Sequence, residues 1–247
     1  MAEVDLFIVP NLRSSAIEAA DRIRRPEYSA VFLDFPRSLQ PLITEYVQGI
    51  ISLHELLNRI KGDVLLPDPV NSWLYLNGPL LEVLPEVGEH AKLYCYREVD
   101  HCHLLANAAA KIARLTLRVN LTGRVEVEEW INVLKEPFSP ESTEKEAEFI
   151  SVKAEDRSAC ITDLSGWHLA ECLRKYGHLV SVKCVQKAYY FKPLETLEIL
   201  LEKGKLTIDE AEKLIREHTY FIRDFVLCSR DLDEAYRLWL EEKRKKA

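Results

Sequence analysis

The sequence predicts an α/β fold with a mostly parallel central sheet, helices on both faces and a helical C-terminal extension. Three observations predict it. Short apolar runs of strand character recur between residues 1 and 190, at Val4–Val9, Ala30–Leu33, Ala91–Tyr96, Ser158–Leu164 and Leu179–Val185. The segments between them carry apolar residues at helical spacing, the alternation of a β-α-β protein. After Pro193 the pattern is helical only. These features divide the chain into a 1–190 α/β core domain and a 191–247 helical extension packed on it.

The chain has 247 residues, 47% hydrophobic and 30% charged, enough to bury a core. Net charge is −7 and no basic face stands out, which disfavours nucleic acid as a partner. Six scattered cysteines form neither the close pairs of a zinc site nor the density of a secreted scaffold. Glu3 and Asp5 stand where a signal peptide carries positive charge, and no apolar run is long enough for a bilayer, so a cytoplasmic protein with no membrane partner is expected. In that compartment the sequon Asn120-Leu121-Thr122 stays unmodified. A single methionine suits a heat-adapted protein.

Taken in order, the first strand ends at Pro10, and Ser14 or Ser15 caps a helix with Ile17, Ala20 and Ile23 on one stripe until Pro26. The second strand ends at Asp34. Two helices follow over Leu39–Ile60, split near Gly49 and Ser52. Pro67, Pro69 and Pro79 mark a loop-rich passage carrying Trp73 and Tyr75, then a short helix over Gly78–Val87. After the third strand a helix runs from Val99 to Arg118 with Leu104, Leu105, Ala108, Ile112 and Leu115 as its stripe. Its alanine-rich surface could pack closely against a sheet.

Gly123 ends that helix and a short amphipathic one covers Val125–Leu134. Glu136–Thr143, with two prolines and two serines, reads as a linker or lid, and Thr143 with Glu146 reads as a capping box that opens a charged helix to Asp156. Ser165-Gly166-Trp167 turns the fourth strand into the helix His168–Tyr176. In the extension Leu194–Leu201 is one helix, Thr207 and Glu210 cap another, and the last reaches Leu240 before a basic end.

Candidate site residues gather where strands release their carboxyl ends, since ligands of alternating α/β chains bind there. Asp34 ends one strand, although an aspartate before Ser38 also suits a turn or helix cap. Arg97, Glu98, Asp100, His101 and His103 open the long helix. Glu98 and His101 lie three apart, as do Asp100 and His103, so either pair could share a face. His101 and His103 point to nearly opposite sides. The spacing is not that of a dense metal motif, and acids at a helix N-terminus also complement its dipole. His168, at a helix start beyond a glycine, could take a proton or bind metal, or serve only structurally.

Three places resemble a superfamily of α/β proteins that includes TraB and PrgY proteins, TIKI proteases, the haem-binding ChaN lipoproteins and erythromycin esterases. Val31-Phe32-Leu33-Asp34 looks like that group's acidic strand end. Arg97-Glu98-Val99-Asp100-His101-Cys102-His103-Leu104-Leu105-Ala106 looks like its helix opening, and Gly166-Trp167-His168 like its second histidine turn. The first Gly-x-x-His of the group is replaced by Val9-Pro10-Asn11-Leu12-Arg13. The resemblance implies a metal-dependent or histidine-based hydrolase. Its catalytic residues would be Glu98 and His168; Asp34, Arg97, Asp100, His101 and His103 would bind, and Asp34, Glu98 and His168 would hold a divalent Mn, Co or Zn.

The lost histidine keeps a second reading open, a catalytically degenerate member that binds a small-molecule or peptide ligand or a protein partner, and that could form a homo-oligomer. Phosphate-binding glycine loops and a G-x-S-x-G elbow are both absent, so no nucleotide cofactor is expected and a serine-type hydrolase is disfavoured.

Overall fold

In the computed structural model, which describes residues 1–62, 70–137 and 140–246, β1 (Glu3–Ile8), β2 (Ala30–Pro36), β3 (Lys92–Arg97), β4 (Arg157–Thr162) and β5 (Leu179–Cys184) form one sheet. Their order is β3-β2-β4-β1-β5, and every neighbouring pair is parallel. The helices among the described residues are α1 (Arg13–Ile23), α2 (Gln40–Val47), α3 (Leu53–Lys61), α4 (Val70–Gly88), α5 (Val99–Thr122), α6 (Val127–Lys135), α7 (Pro140–Lys153), α8 (Gly166–Lys175), α9 (Pro193–Glu202), α10 (Ile208–Asp224) and α11 (Leu232–Lys246). None is long and apolar enough to cross a membrane. The chain divides into two compact units, Met1–His103 with Ser139–Lys187, and Leu104–Phe138 with Ala188–Ala247.

The first unit is the expected α/β layer structure. Strand residues alternate between two cores because successive side chains leave opposite faces of a pleated strand. Phe7, Val31, Leu33, Phe35 and Ile161 pack with α1 to α4, and Val4, Leu6, Phe32, Tyr96 and Cys160 pack with α7 and α8. At its carboxyl end β2 leaves toward α2 on the first face, while its neighbour β4 leaves toward α8 on the second. Connections that part to opposite faces leave the strand ends between them uncovered, and that is where such sheets hold ligands.

Several local expectations change. β2 continues through Asp34 to Pro36, with a register shift against β3 between Leu33 and Pro36, so Asp34 is a strand residue rather than a turn or cap. Pro36 is tolerated as the last strand residue because nothing beyond it needs its missing N–H. Trp73, Tyr75 and Pro79 lie inside α4, not in a loop, while Pro67 and Pro69 lie outside the described residues. Pro79 cannot bond the carbonyl of Tyr75 four residues back, and the Arg13 guanidinium donates to that carbonyl instead. Gly78 makes the room, since a Cβ there would stand 3.2 Å from Arg13 Nη1. α7 begins at Pro140, so Thr143 lies within the helix and makes no capping box with Glu146; of the expected linker Glu136–Thr143, residues 138 and 139 lie outside the described ones. Gly49 follows α2 with φ 72°, a left-handed conformation that suits glycine and sets the break before α3.

The second unit has a core of its own, built around α5. Ala108, Ile112, Leu115 and Val119 pack with Trp130 and Val133 of α6, Leu197 of α9 and Ile215 of α10, while Leu104 and Leu105 of the expected stripe stay 37% exposed. Thr207 caps α10 as expected, its side chain accepting from the Glu210 N–H, and α11 runs on through the basic end. The buried His218 ring meets Trp130 edge to face at 5.7 Å. Burial, with the nearby Lys192 charge, pulls its pKa down from 6.5 to about 4. The unfolded chain then binds a proton that the fold refuses, so this contribution is complete above pH 6.5 and is lost as pH falls toward 4. Melts between those limits should lose on the order of a few kcal/mol of stability, and His218→Phe should flatten that limb. An unchanged acid limb in the variant would remove His218 as its cause.

Candidate functional site

Arg97, the last residue of β3, lies at the carboxyl ends of the strands and is 4% exposed. It is bonded to carboxylates from three further elements. Its Nε and Nη2 hold Asp34 of β2 in a bidentate pair at 2.5 and 2.6 Å. Nη1 reaches Glu146 of α7 at 3.3 Å, and Nη2 also reaches Asp163, just past β4, at 3.3 Å. Glu146 is 1% exposed and does two more things. Its Oε1 accepts from the Glu98 N–H at 3.3 Å and stands 3.0 Å from His101 Nδ1. A carboxylate can only accept, so Nδ1 carries the proton and Nε2 is the imidazole's free acceptor; no described residue bonds that nitrogen.

Above this buried floor lies a partly exposed rim. Side-chain exposure is 20% for Asp34, 45% for Asp163, 30% for Glu98 and 32% for Arg37. Arg37 follows β2 in a 3-10 turn; its Nη1 pairs with Glu98 at 2.7 Å, its Nε donates to the Tyr96 carbonyl at 3.1 Å, and its guanidinium lies 4.2 Å from the Phe149 ring centre. Asp163 shapes the turn into α8 by accepting from the Ser165 N–H at 2.8 Å and from the Ser165 hydroxyl. The following Gly166 is needed for space, because a Cβ would stand 2.3 Å from Thr162 Cγ2 and 2.9 Å from Leu6 Cδ2.

Three carboxylates share one cation, and this sets their protonation. Burial pushes Asp34 above its ordinary value; Arg97 opposes that rise, while Asp163 and Glu146 add to it. Burial acts upward on Asp163 as well, but Arg97, the Ser165 bonds and His101 outweigh it and hold the group below its ordinary value. The two carboxyls on one cation are thus pushed in opposite directions, Asp34 toward weaker and Asp163 toward stronger acidity. Burial, with the negative charge of Asp34, raises the Cys102 thiol to about 12, so it is no nucleophile near neutral pH.

Of the residues singled out in the sequence, Asp34, Arg97, Glu98 and His101 come together here. Asp100 is exposed and His103 half-buried on the first turn of α5. His168 lies on the first turn of α8 with its side chain 48% exposed, 3.9 Å from Glu171. Glu146, Asp163 and Arg37 were missed. Glu146 looked like a capping residue, and only its place among the apolar Ala147 and Ile150 of α7 hints that it faces inward. Asp163 carried a signal that could have found it, an acid at the end of an apolar strand as at Asp34.

The proposed metal ligands do not fit a divalent ion. Asp34 is held by Arg97, Glu98 by Arg37, and His168 pairs with Glu171, so they face three different partners. Among the described residues no group of three or more His, Cys, Asp and Glu side chains is arranged to hold a metal. Compared with protein-family models, curated proteins and solved structures, the chain matches none of them.

Proposed function

We propose that the protein is a histidine-based hydrolase in which His101 is the general base and Glu146 its orienting carboxylate. The observation that carries this reading is the His101–Glu146 pair, at 3.0 Å, buried at the carboxyl ends of the strands. Glu146 fixes the tautomer and stabilises the imidazolium that forms when Nε2 takes a proton from an attacking water. The imidazolium then returns that proton to the leaving group, so that His101 serves first as base and then as acid. The likeness of Val31–Asp34 and Arg97–Ala106 to the TraB, TIKI and erythromycin esterase group supports hydrolysis as the reaction class, with His101 in place of the histidine that this chain lacks.

The test is hydrolysis of p-nitrophenyl esters by the full chain in EDTA across pH 5–9. Turnover should survive EDTA and fall about 10²–10⁴-fold in His101→Ala, with melts confirming that the variant folds. Turnover lost in His168→Ala and kept in His101→Ala would transfer the role of base to His168. A second reading, a degenerate member that binds a ligand or protein partner in the crevice, is favoured by one observation: Arg97 already bonds both oxygens of Asp34. Absence of any ester turnover would leave that reading standing.

A further inference from the structure

We infer that β5 is the surface on which two copies of the chain join, antiparallel and about a two-fold axis, so that their sheets run together as one. The sheet has two edge strands, β3 and β5, and they are finished differently. At β3 the Gln40 amide stands in for a neighbouring strand, accepting from the Cys95 N–H at 2.7 Å and donating to the Leu93 carbonyl at 3.1 Å, while Arg37 covers the Tyr96 carbonyl. β5 lacks that cover. Its Leu179 N–H bonds the Ala2 carbonyl and the Val185 N–H bonds the Ile8 carbonyl, both on the β1 side, so the alternation of a parallel ladder turns Val180, Val182 and Cys184 outward. Among the described residues nothing bonds those three N–H groups or the Val182 and Cys184 carbonyls; the Val180 carbonyl alone is met, by Arg174 at 3.1 Å. A row of unpaired backbone groups on a sheet edge is a template for another strand.

The strand is complementary to itself. With the axis at Val182, that residue opposes its own copy, Val180 opposes Cys184 of the other chain and Ser181 opposes Lys183, which brings every outward group into a hydrogen-bonded pair. An axis at Lys183 would set two ammonium groups face to face. One at Ser181 would pair Cys184 with His178, whose N–H already bonds the Leu173 carbonyl. Lys183 brings no free charge to the joint, because its Nζ lies 2.6 Å from Asp5 Oδ1. Val180 and Val182 already pack against the core that holds Leu6 and Leu173, so pairing at Val182 carries that apolar layer across the axis and covers side chains that one chain leaves partly exposed. Residues 180–184 thus supply both halves of the contact, as a closed two-fold pair requires.

The test is the mass of the full chain in reducing buffer at micromolar concentration, by sedimentation equilibrium. Twice the chain mass is expected. Val182→Pro should return it to the mass of one chain with a cooperative melt intact, since the N–H it removes faces away from β1. Val180→Cys places a thiol opposite Cys184 of the other chain, with Cα atoms about 5.5 Å apart, a distance that a disulfide spans. Mild oxidation should therefore cross-link Val180→Cys into a covalent dimer, and the added change Cys184→Ser should abolish the link. A single-chain mass at every concentration overturns the inference, as does a dimer that Val182→Pro leaves intact or a cross-link that survives Cys184→Ser.

Discussion

Arg97→Ala should lower stability by about 3–5 kcal/mol, measured by denaturant unfolding at neutral pH. The cause is less the loss of attraction than what stays behind. Asp34, Glu146 and Asp163 would face one another without their shared cation, two of them little exposed to water. A buried charge left unpaired keeps its desolvation penalty. Arg97→Ala combined with Glu146→Ala should therefore lose less than the sum of the two single changes, since the second removes one of the stranded carboxylates. A single-variant loss below about 1 kcal/mol, the range of exposed ion pairs, would show that water reaches the cluster and that its floor is not the closed one described.

Trp130→Ala should lower stability by about 3–5 kcal/mol through a different mechanism. Trp130 is wholly buried in α6 and sits within the only apolar cluster that draws α5, α6, α9 and α10 together among the described residues. Removing the indole gives up its burial and leaves a cavity that Ile112, Leu197 and Ile215 can close only in part. The His218 ring would also lose its edge-to-face partner. Trp130→Phe should recover more than half of the loss. Equal losses for the two variants would point to the indole nitrogen, rather than to volume, as what matters.

The candidate site was half legible in the sequence. Asp34 and the run from Arg97 to His101 announced themselves because a charged residue that interrupts an apolar strand or opens a helix is a local signal. Glu146 was hidden by its own neighbourhood, where Thr143 and Glu146 have capping-box spacing although the helix begins at Pro140. His168 drew notice because a glycine precedes its helix, and Gly166 is there because Thr162 and Leu6 leave no room for a Cβ. Pro79 broke the sequence pattern of α4 but not the helix, since its rescue comes from Arg13, far back along the chain.

By itself the sequence determined the strands, their parallel class and most helix positions, including the break near Gly49 and the cap at Thr207, because periodicity, capping and backbone preference are written within a few residues. Only the tertiary structure decided which elements are neighbours. A β-α-β pattern makes strands parallel without saying that β4 lies between β1 and β2, yet that order brings Asp163 beside Asp34. The partners of Arg97 lie 63, 49 and 66 residues away along the chain. An apolar stripe on α5 specifies burial against some apolar surface, and within its unit the complementary faces of α6, α9 and α10 received it. Hydrophobic burial is non-directional, so a local pattern fixes which face is hidden and leaves the identity of its partner to the packing of the whole.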